Sequence, residues 1–432
     1  MMTWKPRFNL TRYYRLGGLG RHALLKSRLL IVAVVAVGTL GVLLIVRPFS
    51  KTEEPIHGPH PDTLKHAESP VPPPPPAAPP QSTAAAMQPA PAPPPPKPQY
   101  GIAAGGAPVY WGQSDLDSYF NGLKALGVTW VRWDLDWNVV QSDGPGSYTW
   151  EAVDRVQATA ERYGIQSLAI LTYTPEWARN SGCKDDPHCA PADPAAFGRF
   201  ASAAANRYKG RIKYWEIWNE PNFTFFWKPQ PNAALYATVL RQAFAAIKAV
   251  DAGTTVLSGG LAASGDEADG SIAPITFMNS LYAQGANAAF DAVGFHPYTY
   301  PATPDYKAWW NRWQQIEPVR ALMQSRGDSG KQIWLTEYGA PTGGPGNGFA
   351  ANQLSDFTYG HDFMQEAAQQ VLLQRGLDFY RPRVAWIGPF FWYSLRDEGT
   401  ARDSTENFYG LLRADGSKKP AYSTYQNAIK AP

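Results

Sequence analysis

Ile212-Lys213-Tyr214-Trp215-Glu216-Ile217-Trp218-Asn219-Glu220-Pro221-Asn222 is the stretch from which the fold reads outward. A short apolar and aromatic run suits the pleated surface of a strand, and Asn-Glu-Pro-Asn ends it. An amphipathic segment follows at 232–250 and another precedes it at 194–208. The same alternation recurs along the chain, with strands predicted near 107–111, 128–136, 167–173, 212–218, 254–259, 291–296, 332–337 and 384–394. Between them lie helical patterns at 115–126, 152–163, 194–208, 232–250, 273–284, 306–326 and 353–375, with a last one at 420–429. Eight alternations over about 330 residues predict one (β/α)8 barrel. The competing open, doubly wound sheet would need a glycine-rich phosphate loop after its first strand. The glycines at 101–106 precede the strand predicted near 107–111.

The 432 residues include 40 prolines, crowded between 70 and 98, so the 44% hydrophobic content belongs mainly to the rest. Residues 29–46, LLIVAVVAVGTLGVLLIV, carry no charge and are long enough to cross a bilayer. Lys5, Arg7, Arg12, Arg15, Arg21, Lys26 and Arg28 precede them, and the first acidic residue is Glu53. This asymmetry predicts a cytoplasmic basic segment at 1–28, an inner-membrane anchor at 29–46 and export of the remaining chain to the periplasm. A cleaved signal peptide, with secretion, is the alternative. Residues 47–98 read as a stiff, proline-rich tether and 99–432 as the globular domain. The formal charge of +3 is concentrated in the targeting segment, so no nucleic-acid partner is expected.

Barrel chemistry sits at the C-terminal ends of the strands. Strand four ends in Glu220, and strand seven ends in Ile333-Trp334-Leu335-Thr336-Glu337-Tyr338-Gly339. Two carboxyls facing one site are what glycosidic cleavage needs: one protonates the leaving oxygen, and the other attacks the anomeric carbon or activates water. Glu216 shares the parity of Glu220 and reads as a structural group.

Together, Trp218-Asn219-Glu220-Pro221 and Trp334-Leu335-Thr336-Glu337-Tyr338-Gly339 resemble the motifs of glycoside hydrolase clan A, family 39 in particular. The resemblance runs over 101–432 and implies that Glu220 is the acid/base and Glu337 the nucleophile of a retaining enzyme. It also implies that Arg132 contacts the nucleophile and that His296-Pro297-Tyr298 is a His-x-Tyr element. Trp392 would be the platform beneath the sugar. On this reading Arg132 holds the pKa of Glu337 down, Tyr298 orients the same carboxylate, Asn219 binds the sugar 2-hydroxyl and His296 lines the sugar site. Phe295-His296-Pro297-Tyr298 and Asn407-Phe408-Tyr409-Gly410-Leu411-Leu412 narrow the likeness to membrane-associated endo-glycosidases of bacterial exopolysaccharide pathways. Family 39 xylosidases carry an added β-sandwich for which little chain remains after strand eight, which disfavours an exo-xylosidase role.

Among the 16 tryptophans, Trp177 and Trp227 in βα loops are candidates to stack on further sugars. Cys183 and Cys189 close a short loop, and export favours their disulfide. With His188 they supply too few ligands for a tetrahedral metal site, and acetal hydrolysis requires no cofactor. The expected partner is a polysaccharide, with an export machinery beside it. Two rival readings share these residues: a transglycosidase and a non-catalytic carbohydrate-binding component of an export complex.

Overall fold

The computed structural model describes residues 96–308, 311–349 and 362–431. The basic segment, the expected membrane span and the tether up to residue 95 lie outside them. Among the described residues one helix, Ala233–Val250, is long and apolar enough to cross a membrane. It packs instead as a helix of the barrel.

Eight parallel strands form a closed barrel: β1 Tyr100–Ala103, β2 Trp130–Asp136, β3 Gln166–Thr172, β4 Tyr214–Asn219, β5 Thr255–Ala262, β6 Ala292–His296, β7 Gln332–Tyr338 and β8 Ile387–Tyr393. Neighbours in the ring follow chain order, and β8 closes on β1. The outer helices are α1 Gln113–Leu126, α2 Glu151–Tyr163, α3 Pro194–Arg207, α4 Ala233–Val250, α5 Pro274–Ala283, α6 Ile316–Ser325, α7 Glu366–Tyr380 and α8 Pro420–Lys430. Their limits are set by local chemistry. Asp193 and Asn232 accept from the amides of Ala195 and Leu235, each at 2.9 Å, and so cap α3 and α4. Gly127, at φ 97°, ends α1 in the left-handed conformation.

The first strand falls outside the expected place. Residues 107–110 form a 3-10 turn with proline in its first turn, and β1 is the glycine-bearing Tyr100–Ala103. A Cβ on Gly101 would stand 2.6 Å from Phe391 and 2.8 Å from Trp130. The glycine that made this segment read as a loop is what lets β1 fit between large residues in the ring.

Inside the barrel the side chains are layered. At the N-terminal end Trp130, Tyr214, Trp334 and Phe391 pack with Leu168 and Leu257. The Trp130 ring lies 4.5 Å from Tyr214 and 5.5 Å from Trp334, edge to face in both cases. Gly388 makes room, since its Cβ would stand 2.3 Å from Trp334. Alternation along β2 and β4 then places Arg132 and Glu216 one step above the aromatic layer, both fully buried. An apolar floor thus supports a charged layer, above which the strand ends open. Trp334→Ala should remove about 3–5 kcal/mol of stability, read as a lower urea midpoint at unchanged slope.

Candidate active site

Arg132 organises the strand ends. Its Nε and Nη2 donate to the two carboxylate oxygens of Glu216 at 2.8 and 2.9 Å, and Nη2 also donates to Oδ1 of Asn219 at 2.9 Å. Nη1 donates to Oε1 of Glu337. The second oxygen of Glu337 accepts from the Tyr298 hydroxyl at 2.8 Å. One cation therefore ties β2, β4 and β7 together at their C-terminal ends.

Glu220 reaches the same site by an irregular backbone. Trp218 and Glu220 adopt φ of 71° and 46°, conformations that side chains other than glycine rarely take. The break in alternation turns Trp218 outward, 5.0 Å from Trp227, and returns Asn219 and Glu220 to the barrel mouth. Two glycines of β5 permit it. A Cβ on Gly259 would stand 2.6 Å from the carbonyl oxygen of Trp218, and one on Gly260 would stand 2.1 Å from Nε2 of His296. Gly260 also donates to Glu216 at 2.7 Å and accepts from the Glu220 amide at 3.0 Å.

Nδ1 of His296 lies 2.9 Å from Oε1 of Glu220 and 3.7 Å from Oε2 of Glu337. Carboxylate oxygens of Glu220 and Glu337 and a ring nitrogen of His296 lie within 4.8 Å of one another. Such a trio could in principle hold a cation. Both oxygens of Glu337 are already taken by Arg132 and Tyr298, His296 is committed to Glu220, and the guanidinium would repel a metal. The donors therefore do not fit a metal site.

Two carboxylates this close repel by roughly 3.5 kcal/mol at an effective dielectric constant near 20. Burial raises the pKa of both, and their mutual repulsion adds to it for Glu220. Arg132 and Tyr298 pull Glu337 back, while Glu220 is eased by His296. Burial lowers the pKa of His296 itself, and the bond to Glu220 partly offsets this. The Glu337 charge thus favours the protonated form of Glu220, while Arg132 and Tyr298 favour the ionised form of Glu337. Arg132 was expected to hold Glu337 below the ordinary range. Burial wins instead, because the guanidinium is also neutralised by Glu216.

Three further expectations need correction. His296 is fully buried beneath Glu220 and does not line a sugar surface. Trp392 is fully buried in the outer layer, its ring 5.8 Å from Tyr338. Phe391 and Tyr393 take the inner face of β8, so a platform at this position falls to Tyr393. Trp227 is fully buried against Trp218 and Tyr236 and supports the β4 loop. It borders a surface cavity of about 450 Å³ whose lining includes neither glutamate. Trp177 is 37% exposed, with its indole N–H donating to the Gln141 carbonyl at 2.7 Å. Cys183 and Cys189 are joined in a disulfide, with Cα atoms 5.5 Å apart. Glu406, which no motif in the sequence picks out, lies 3.4 Å from the Tyr393 hydroxyl in the loop after β8. It shares that loop with Asp397, Glu398 and Asp403, so nothing in the sequence singles it out.

No family model matches the chain. A glucosylceramidase of Rhizopus delemar is 33% identical over 76 residues, 17% of this chain and 11% of that protein. Among solved structures, a family 39 glycoside hydrolase from Bacteroides cellulosilyticus WH2 superposes with a TM-score of 0.58 at 23% identity, covering 77% of this chain and 64% of that one. A monomeric β-xylosidase from Caulobacter crescentus CB15 gives 0.56 at 18% identity, covering 77% and 68%. The family 39 enzyme of Xanthomonas axonopodis pv. citri gives 0.56 at 17% identity, covering 76% and 65%. Likeness at these identities is likeness of fold.

Glu216 of β4 and Glu220 just beyond its end should respond oppositely to substitution. Glu216→Ala leaves Arg132 short of a buried partner and should cost about 3–5 kcal/mol. Glu220 has a folded pKa above its unfolded one, so its ionised form opposes folding above the unfolded value. Glu220→Gln should therefore be at least as stable as the parent at pH 7 in urea titrations.

Proposed function

We propose that the chain is a retaining glycoside hydrolase in which Glu220 is the acid/base and Glu337 the nucleophile. The observation that carries this reading is the pair of carboxyls with oxygens within 4.8 Å, Glu337 bonded to Arg132 and Tyr298 and Glu220 to His296. Retaining enzymes place their carboxyls roughly 5–5.5 Å apart, whereas inverting ones leave room for a water between them. The fold likeness to family 39 glycoside hydrolases supports the same reading.

In the first step a carboxylate oxygen of Glu337 forms a bond to the anomeric carbon. The bond from that carbon to the leaving oxygen breaks, and Glu220 gives the oxygen its proton. Esterification removes the negative charge of Glu337, so the repulsion that kept Glu220 protonated disappears. Glu220 is then a carboxylate and takes a proton from water. The hydroxide oxygen bonds to the anomeric carbon, the ester breaks, and both glutamates return to their starting state. With its oxygen held by Arg132, Asn219 keeps an amide N–H to donate to a sugar hydroxyl.

The substrate we propose is a bacterial exopolysaccharide, cleaved internally. The proline-rich tether and the apolar run at 29–46 support a catalytic domain held outside the inner membrane, beside an export machinery. Trp177 supports an extended cleft by offering an aromatic face beside the β3 loop.

Reducing-end release by residues 96–432 across glucan, mannan, xylan and mixed exopolysaccharides tests the reading. Glu337→Gln should lose activity by a factor of about 10⁴ or more, and full turnover by that variant would overturn it. The pH profile of kcat/KM should be bell-shaped. Its acid limb reports Glu337 and should lie above the ordinary glutamate range, because burial raises that group. Its alkaline limb reports loss of the Glu220 proton.

A further inference from the structure

We infer that the end of the barrel opposite the mouth docks on an anionic lipid surface, through exposed cations grouped around the point where the chain enters β1. This inference goes beyond the glycosidase reading and draws on the proposal that residues 29–46 span the inner membrane.

Parallel strands give a barrel two unlike ends. The strands finish at the mouth; the last turns of the outer helices and the connections into the next strand make the base. Six exposed cations stand at the base with no side-chain partner among the described residues. Lys97 lies three residues before β1, Lys124 in the last turn of α1, and Lys209 and Lys213 between α3 and β4. Arg326 directly follows α6, and Lys430 ends α8. The acids of the same end are mostly neutralised. Glu161 is paired with Arg211 at 2.8 Å, Asp291 with Lys248 at 2.8 Å and Asp328 with Lys331 at 3.0 Å. Asp251 accepts from the Gly253 amide at 3.1 Å and Asp378 from the Gln374 side chain at 2.8 Å, neither of them a cation. The base therefore carries a positive excess.

Three of the six gather where the chain enters the barrel. The Gln99 amide donates to the Tyr380 hydroxyl at 2.8 Å, and that hydroxyl donates back to the Gln99 carbonyl at 3.0 Å. Nε2 of Gln426 donates to the Ala125 carbonyl at 2.8 Å, and a Cβ on Gly127 would stand 3.4 Å from Ile429, so the ends of α1 and α8 are in contact. Arg381 links these places, its guanidinium donating to the Tyr100 hydroxyl at 3.2 Å and to the Ala428 carbonyl at 3.0 Å. Lys97, Lys124 and Lys430 thus belong to one neighbourhood around the start of β1. A cation at a helix C-terminus also favours the helix itself, which accounts locally for Lys124, Arg326 and Lys430. It does not account for Lys97, Lys209 and Lys213, which lie in connections.

The point of entry decides the partner. Gln99 lies at the base, so a chain that comes from a bilayer reaches the barrel at its cationic end. A tether of residues 47–98 concentrates the domain near the surface in which the chain is anchored. Exposed cations within a Debye length of an anionic bilayer are then attracted to it. A polyanion in solution would meet the same cations without that gain in local concentration. With the base on the bilayer, the mouth points away from it, toward polymer outside.

Among the described residues both core clusters are drawn from Tyr100 to Ala428, so residues 96–432 form a domain that can be assayed alone. The test is its sedimentation with vesicles of phosphatidylglycerol and phosphatidylcholine in equal parts, against vesicles of phosphatidylcholine alone. The domain should sediment with the anionic vesicles at low salt, be released at high salt and ignore the neutral ones. The triple variant Lys97→Gln, Lys124→Gln, Lys430→Gln should bind about 100-fold more weakly, because each cation near such a surface strengthens binding roughly five-fold. Its melting temperature, and its turnover of whichever polysaccharide is cleaved, should match the parent. Lys184, Lys307 and Arg396 are exposed cations of the mouth loops. The triple variant Lys184→Gln, Lys307→Gln, Arg396→Gln should bind vesicles like the parent. No binding by the parent, equal loss in the two triple variants, or equally tight binding of polyglutamate in solution overturns this inference and leaves the glycosidase reading standing. A full chain that alkaline carbonate strips from membranes overturns the anchor proposal and, with it, the inner membrane as the partner.

Discussion

One buried positive charge holds the strand ends in place. Arg132 has no exposed surface and bonds to Glu216, Asn219 and Glu337, groups from two other strands of the barrel. A guanidinium cannot be buried unpaired, and its planar fork matches a carboxylate edge. Glu216 takes two of its bonds and neutralises it, and Gly260 N–H completes Glu216 in turn. What remains for Glu337 is an oriented hydrogen bond at an already compensated site. Hence Glu337 is positioned firmly while its pKa is still raised by burial. Position and basicity are thereby set by different groups.

The second requirement is irregularity. A regular β4 would place Trp218 inward and carry Glu220 along the same alternation with it. The left-handed backbone at 218 and 220 separates the two, turning the indole outward and the carboxyl inward. That geometry is tolerable only because β5 carries Gly259 and Gly260 where any side chain would collide with β4 or His296. Strain of this kind is characteristic of functional sites, where neighbouring packing holds what the local sequence would not choose. The aromatic floor at the other end of the barrel, Trp130 with Trp334 and Tyr214, supplies some of that packing.

The seven strands after the first were legible because each is an apolar run between turn signals, and most helices because of their amphipathic pattern, though those expected at 306–326 and 353–375 run over Ile316–Ser325 and Glu366–Tyr380. The first strand was not, since Gly101 carries loop character locally and its reason lies in Phe391 and Trp130, distant in sequence. Glu220, Glu337, Arg132 and Tyr298 were legible as residues at strand ends, and the structure brings all four to one place. Trp392 was misread because Phe390-Phe391-Trp392-Tyr393 is apolar on both faces, so nothing in it reveals which parity points inward. Trp227 and His296 were misread because exposure cannot be seen in a residue type.

In the chemistry proposed, Glu337 attacks carbon while Glu220 handles the proton. Incubation with a 2,4-dinitrophenyl 2-deoxy-2-fluoro-β-glycoside, followed by peptide mass mapping, tests that division of labour most directly. One fluoroglycosyl group should appear on the peptide bearing Glu337 and be lost slowly as activity returns. Labelling on Glu220, or steady turnover with no covalent species while product appears with inverted configuration, would contradict it.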